Sequence, residues 1–204
     1  MIMTLSIYVF GAETYWVGNP VPLGAMRELS TDRPDITESP YTVDAGHFQI
    51  EAELLSWTRN RQDGVTTTTM SPSVNIEVGL LTWVDLQTVV GWSSITEEDP
   101  GNDDPVTRGV DDLRFRVKIN FWGNDDGDTA GALMPFVTLS THGSDFGDES
   151  YVTGGIIAPV AFSPPSDWSA AVMLEIEIER NLADDGYNMV LVQTVTASHA
   201  IIES

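Results

Sequence analysis

Residues 112 to 122 read Asp-Leu-Arg-Phe-Arg-Val-Lys-Ile-Asn-Phe-Trp. A strand turns successive side chains to opposite faces, so Leu113, Phe115, Val117, Ile119 and Phe121 share one face while Asp112, Arg114, Arg116, Lys118 and Asn120 share the other. The same period of two predicts eight strands, at about 46–59, 65–79, 82–95, 110–122, 130–141, 151–162, 168–180 and 187–201. The seventh is the one to test against helix, because Ala170, Ala171, Met173, Leu174 and its glutamates favour helix individually. Its Val172, Leu174, Ile176 and Ile178 nevertheless alternate with Met173, Glu175, Glu177 and Glu179, and a helix would scatter those carboxylates around its axis.

Ahead of the strands, residues 18–45 form a polar lead-in broken by Pro20, Pro22, Pro34 and Pro40, which predicts extended chain. Residues 1–17 begin with a mostly apolar stretch, Met1 to Gly11, and the first basic residue is Arg27. Two readings stand: the remnant of a signal peptide, or an apolar N-terminal strand or tail. No run approaches the roughly 20 apolar residues of a spanning helix, whereas the strands are near the roughly 9 to 11 residues that cross a bilayer at a tilt. Connections alternate between short turns (80–81, 123–128, 163–167) and the other side's loops, two of them long and acidic at 97–108 and 143–150. An up-and-down barrel in an outer membrane has this rhythm, and a soluble β-sandwich would produce similar punctuation.

The two architectures differ in which face is wet. A sandwich packs the apolar face inward, and a membrane barrel inverts this. The candidate pore-lining residues are Glu51, Glu53, Glu77, Asp85, Asp112, Arg114, Arg116, Lys118, Glu175, Glu177 and Glu179, with Asn75 and Gln87 beside them. Eight acids against three bases would attract cations modestly. A solvated sheet face is the other reading. Arg114, Arg116 and Lys118 form a ladder that either faces carboxylates of the first and seventh strands across a pore or makes ion pairs between neighbouring strands. In the lead-in, Asp32, Arg33, Asp35 and Glu38 suit either a constriction in a lumen or a tail at the barrel mouth. Aromatics near strand ends, among them Trp57, Trp83, Trp92, Trp122, Trp168 and Tyr187, fit a membrane-interface girdle and equally the caps of a soluble core.

Composition narrows the partners. Among 204 residues, 31 acids against 9 bases give a net charge of −22, which repels nucleic acid, and the lack of cysteine removes disulfides and thiolate chemistry. No catalytic residues, cofactor or metal site are expected. Thr141-His142-Gly143-Ser144-Asp145 gathers triad-type groups in sequence, but a nucleophile and its base must meet in space. Residues 124–128 and 99–104 are acidic turns without the spacing or distal glutamate of a calcium loop.

The phrase Ser30-Thr-Asp-Arg-Pro-Asp-Ile-Thr-Glu-Ser-Pro-Tyr-Thr-Val-Asp-Ala-Gly-His-Phe-Gln-Ile-Glu51 resembles the opening of the outer-membrane transporters grouped as the family of the MetA pathway of phenol degradation. Val110 to Gly127, Ala132 to Val137, Gly154 to Pro159, Gly186-Tyr187 and Ser198-His199 continue the likeness in order, over about residues 26 to 202. The resemblance implies an all-β fold, an antiparallel up-and-down transmembrane β-barrel, with about eight strands present of about twelve. It also implies the outer membrane of Gram-negative bacteria, lipid as surroundings and small, aromatic or hydrophobic cargo. Similar proteins carry a complete signal peptide and about four further strands, so the chain is expected to be truncated at both ends and its barrel incomplete or strained. Continuous bonding between 46–59 and 187–201 would contradict that. A non-transporting structural or adhesive β-protein, as a sealed barrel or a secreted acidic sandwich, is the alternative function.

Overall fold

The computed structural model describes residues 15–32, 36–62, 65–98, 106–125, 127–139, 152–163, 168–181 and 186–199, without the side chains of 107, 111 and 112. Its strands are β1 (Phe48–Glu53), β2 (Trp57–Gln62), β3 (Val65–Met70), β4 (Ser73–Leu81), β5 (Val84–Glu98), β6 (Val106–Trp122), β7 (Thr129–Leu139), β8 (Val152–Phe162), β9 (Trp168–Asn181) and β10 (Gly186–His199). All join one antiparallel sheet in the order β1-β4-β5-β6-β7-β8-β9-β10, with β2 on β3 and β3 on β5. From β4 onward each strand pairs with the next in sequence, and the sheet curls into a half-barrel. No pairing joins β1 to β10 among the described residues. A sandwich of two packed sheets is therefore not the architecture.

The first two predicted strands, 46–59 and 65–79, are each interrupted. Pro72 has no N–H to give the ladder, so the chain steps past it while Ser71 N–H donates to Ser56 O and Trp92 N–H to Pro72 O, both at 2.9 Å. Three residues, 54–56, stand opposite the two of 71–72, which shifts the hairpin register by one in the manner of a bulge. Against β5 nothing shifts: Met70 faces Ser94 and Ser73 faces Gly91. The four short strands are thus one long hairpin with a break, and the predicted count of eight survives in that form.

Alternation decides what each face meets. Ile76 is 41% exposed, yet its neighbours Asn75 and Glu77 are buried. Ile50, Val74, Leu86, Leu174, Ile176 and Ile178 join Ile76 on an exposed convex face, while Glu51, Asp85, Gln87, Arg116 and Lys118 are buried on the concave one. The concave face is not polar throughout. On β7 to β9 it holds a cluster of Met134, Phe136, Ile157 and Met173, with Val192 of β10 packed against it.

The lead-in divides in two. Residues 15–29, which include a short 3₁₀ turn at Leu23–Ala25, pack at the end of the sheet that carries the short turns. There Val17 N–H donates to Leu80 O, and Arg27 reaches Asp44 at 2.9 Å and Asp125 at 3.2 Å. Residues 30–32 and 36–44, here termed the strap, run over the concave face. Gly79 makes that approach possible, because a Cβ there would collide with the carbonyl groups of Val43 and Asp44. Gly46, at φ 78°, then turns the chain into β1.

Candidate functional site

An extended segment that pairs with no strand must find partners for its backbone elsewhere. The strap finds them in side chains of the concave wall. Asp32 N–H donates to both Glu51 oxygens (3.0 and 3.1 Å), Val43 N–H to Asp85 Oδ2 (3.1 Å) and Thr42 N–H to Asn124 Oδ1 (3.0 Å). Lys118 Nζ and Asn120 Nδ2 donate in turn to the carbonyls of Tyr41 (3.1 Å) and Pro40 (2.9 Å). Period two places these side chains on one face, so the polar alternation of β1, β5 and β6 becomes a row of backbone partners.

Among the described residues two ion pairs join the strap to β6. Lys118, 1% exposed, holds Asp32, 3% exposed, at 2.9 Å, and Arg116 Nη1 meets Glu38 Oε1 at 2.5 Å. Asp32 also accepts Ser39 N–H at 2.8 Å and Gln87 Nε2 at 3.4 Å. Burial pushes the Asp32 carboxyl up, but the Lys118 charge and hydrogen bond, Ser39 N–H and Arg116 together hold it below its ordinary value. For Glu38 burial dominates and the carboxyl is raised, with Asp32 adding to the rise and Arg116 opposing it. Behind them Asn75 and Gln87 donate to Glu77 at 2.8 and 3.1 Å, which leaves no buried carboxylate of this group without a hydrogen-bond donor.

The ladder of β6 divides its contacts. Arg114 reaches across the concave face to β9, pairing with Glu177 at 3.0 Å and Glu175 at 3.5 Å while its guanidinium lies 4.4 Å from the Phe136 ring centroid. Arg116 and Lys118 turn instead to the strap. Among the described ion pairs none joins the ladder to β1, whose Glu51 takes the strap backbone instead. Glu53 and Glu179 line a cavity of about 570 Å³ with Arg114, Arg116, Glu175 and Glu177, toward the end with the longer loops. A second cavity of about 370 Å³ lies between the strap and β8 to β10 near the short turns.

Of the residues expected from sequence, Arg33 and Asp35 lie outside the described residues, as does the side chain of Asp112. So do residues 99–104 and 141–145. His47 Nε2 lies 2.7 Å from Val21 O, and His199 stacks edge-on at 4.7 Å from Trp168, so both serve packing. No cluster of three potential metal ligands occurs among the described residues. Sequence reasoning missed the apolar wall of Met134, Phe136, Ile157 and Met173. The signal was present in Ala130 to Val137, which is apolar on both faces and so interrupts the polar lining.

No curated protein and no solved structure matches the chain. A family model described as "Putative MetA-pathway of phenol degradation" matches residues 31–204, from the first residues of the strap through every strand, and the chain belongs to that family.

Proposed function

We propose that the protein is an outer-membrane channel for passive movement of small molecules, its lumen narrowed by the strap. The observation that carries this reading is the inverted burial: Lys118, Glu77, Asp85 and Gln87 are among the most buried side chains, while aliphatic residues of the same strands are exposed. In water such an outer face would be costly, and in hydrocarbon it is favourable. A polar interior with an apolar exterior band is what membrane barrels share.

Dimensions agree. Phe121 and Trp122 are exposed near the short turns with Trp83, Phe162 and Trp168, and a second exposed level holds Trp57, Trp92 and Tyr187. From Phe121 to Val110, the partner of Trp92, β6 advances eleven residues. At about 3.3 Å per residue and a tilt of about 40°, that spans about 28 Å, close to the ~25 Å apolar band between aromatic girdles. The family's association with phenol degradation fits a cargo of small aromatic or hydrophobic compounds. The role is passage, not catalysis.

The strap favours one second reading, a sealed structural barrel. Two measurements separate the possibilities. The protein should sediment with outer membranes and need detergent for extraction; recovery in the soluble fraction would sink both barrel readings. Reconstituted in liposomes, it should admit small solutes, and absence of flux for every solute tried would leave the sealed barrel.

A further inference from the structure

The strap does not fill the interior evenly. On its β5 and β6 side it is clamped by Lys118–Asp32 and Arg116–Glu38. On its β9 and β10 side it is held by neutral contacts, Thr37 Oγ1 to Thr194 Oγ1 at 2.8 Å and Glu38 N–H to Met173 Sδ at 3.4 Å. Thr194 is the register partner of Met173, so these contacts form one seam.

The seam separates the two cavities. Along the concave face of β9, Ala171 lines the smaller cavity, Met173 stands at the seam, and Glu175 lines the larger; Glu38 touches both cavities. The linings differ in kind. Among the described residues, half of the larger cavity's sixteen lining residues are charged, whereas eight of the smaller cavity's fourteen are serine or threonine and only Glu38 is charged. An ion passing from one to the other would exchange countercharges for hydroxyl dipoles and alanine methyls, which disfavours it; a neutral polyhydroxylated solute keeps its hydrogen bonds throughout. Methionine is unbranched and flexible, so Met173 can change rotamer at the seam, parting from Met134, Phe136 and Ile157 as it does.

Resting on the channel reading but departing from its aromatic or hydrophobic cargo on the strength of the hydroxyl lining, we infer that small neutral hydroxyl-bearing solutes cross from the larger cavity to the smaller through the seam between the strap and β9–β10. Met173 and the Thr37–Thr194 pair form the selective step, and the smaller cavity is the binding site beyond it.

The absence of cysteine makes the test clean. The full chain carrying Thr37→Cys and Thr194→Cys is reconstituted in liposomes, and entry of erythritol, a neutral tetritol, is compared with that of threonate, an anion of similar size. Under reduction erythritol should enter at least tenfold faster than threonate. Oxidation should close the seam and lower erythritol entry at least tenfold, and renewed reduction should restore it. Met173→Trp gives an independent block, and Met173→Ala should raise erythritol entry severalfold. Erythritol flux that neither the disulfide nor Met173→Trp alters would overturn the seam while leaving the channel intact, and so would equal entry of the two probes. Flux of neither probe through the unmodified chain would overturn the seam, and the channel reading falls with it when every other solute tried is excluded too.

Discussion

The two walls of the concave face treat the same strap differently. The wall of β1 and β4 to β6 offers charges and amides that bond its backbone and carboxylates, while the wall of β7 to β10 meets it through a hydroxyl and a thioether. Buried ionic partners resist separation because a charge left alone in a dry interior is costly, whereas neutral contacts part at little cost. The difference teaches that one wall is an anchor and the other a surface the strap rests on.

The largest effect should follow from breaking the anchor. Lys118→Met leaves Asp32, Glu77 and Asp85 without their buried cation and should cost about 3–5 kcal/mol in the urea unfolding of reconstituted protein. Thr194→Val on the opposite wall should cost no more than about 1 kcal/mol. Adding Asp32→Leu to Lys118→Met should recover much of the loss, because the pair is then removed together. Equal penalties for Lys118→Met and Thr194→Val would abolish the distinction between the walls.

Gly79→Val should come next. Its new side chain would meet the carbonyl groups of Val43 and Asp44, so the strap must lift where it enters β1, at a cost of about 1–3 kcal/mol. A single Thr42→Cys reporter in this cysteine-free chain, at a strap position only 8% exposed, reads that lifting by its rate of maleimide labelling, which should rise several-fold. An unchanged rate would mean that the strap tolerates displacement at its anchored end.

Much of this was legible in the sequence, and the limits have physical causes. Alternation is a property of the strand itself, so Arg114, Arg116 and Lys118 could be assigned to one face before any fold was known. Partners are another matter. Asp32 and Lys118 are 86 residues apart, and only the passage of the strap over the concave face brings them to 2.9 Å. For Lys118 the sequence leaves open carboxylates across a pore and ion pairs between neighbouring strands, and the side chain donates to a lead-in carboxylate and a lead-in carbonyl. The break at Ser71–Pro72 was visible as a proline, but its harmless register depends on Trp92 in the adjacent strand. Met173 offered nothing to single it out, since alternation placed it among glutamates and its seam exists only where the strap crosses.

Titration of the strap should act through the anchor, because its described contacts with the other wall, Thr37 to Thr194 and Glu38 N–H to Met173 Sδ, use no carboxylate. Asp32 is held below its ordinary 3.8, so its contribution to docking is complete above 3.8 and is lost as pH falls through the lowered value. Glu38 is raised above its ordinary 4.5, so docking gains as pH falls through the raised value and the gain levels off near 4.5. Labelling of the Thr42→Cys reporter, divided at each pH by the rate for free cysteine, should therefore be slowest between the two titrations, rise somewhat as pH climbs through the Glu38 value and rise again as pH falls through the Asp32 value. Glu38→Gln should remove the rise on the high-pH side and keep the one on the low-pH side. A monotonic profile in the parent would show that the two carboxyls do not pull in opposite directions.

The smallest effect belongs to an ion pair of ordinary chemistry in a different place. Arg59 Nη2 meets Glu98 Oε2 at 3.4 Å where the β2–β3 hairpin flanks β5, and the side chains are 54% and 53% exposed. Both ions keep most of their water, so bringing them together repays little and salt screens what remains. Arg59→Ala should move the unfolding free energy by less than about 1 kcal/mol, with half or more of any change gone at about 1 M salt. Lys118→Met should keep its penalty at the same ionic strength, since no counterion reaches a side chain that is 1% exposed. If salt erased both penalties alike, burial would not be what separates these pairs, and the anchoring wall would owe its hold to the hydrogen bonds of Glu51, Asp85 and Asn120.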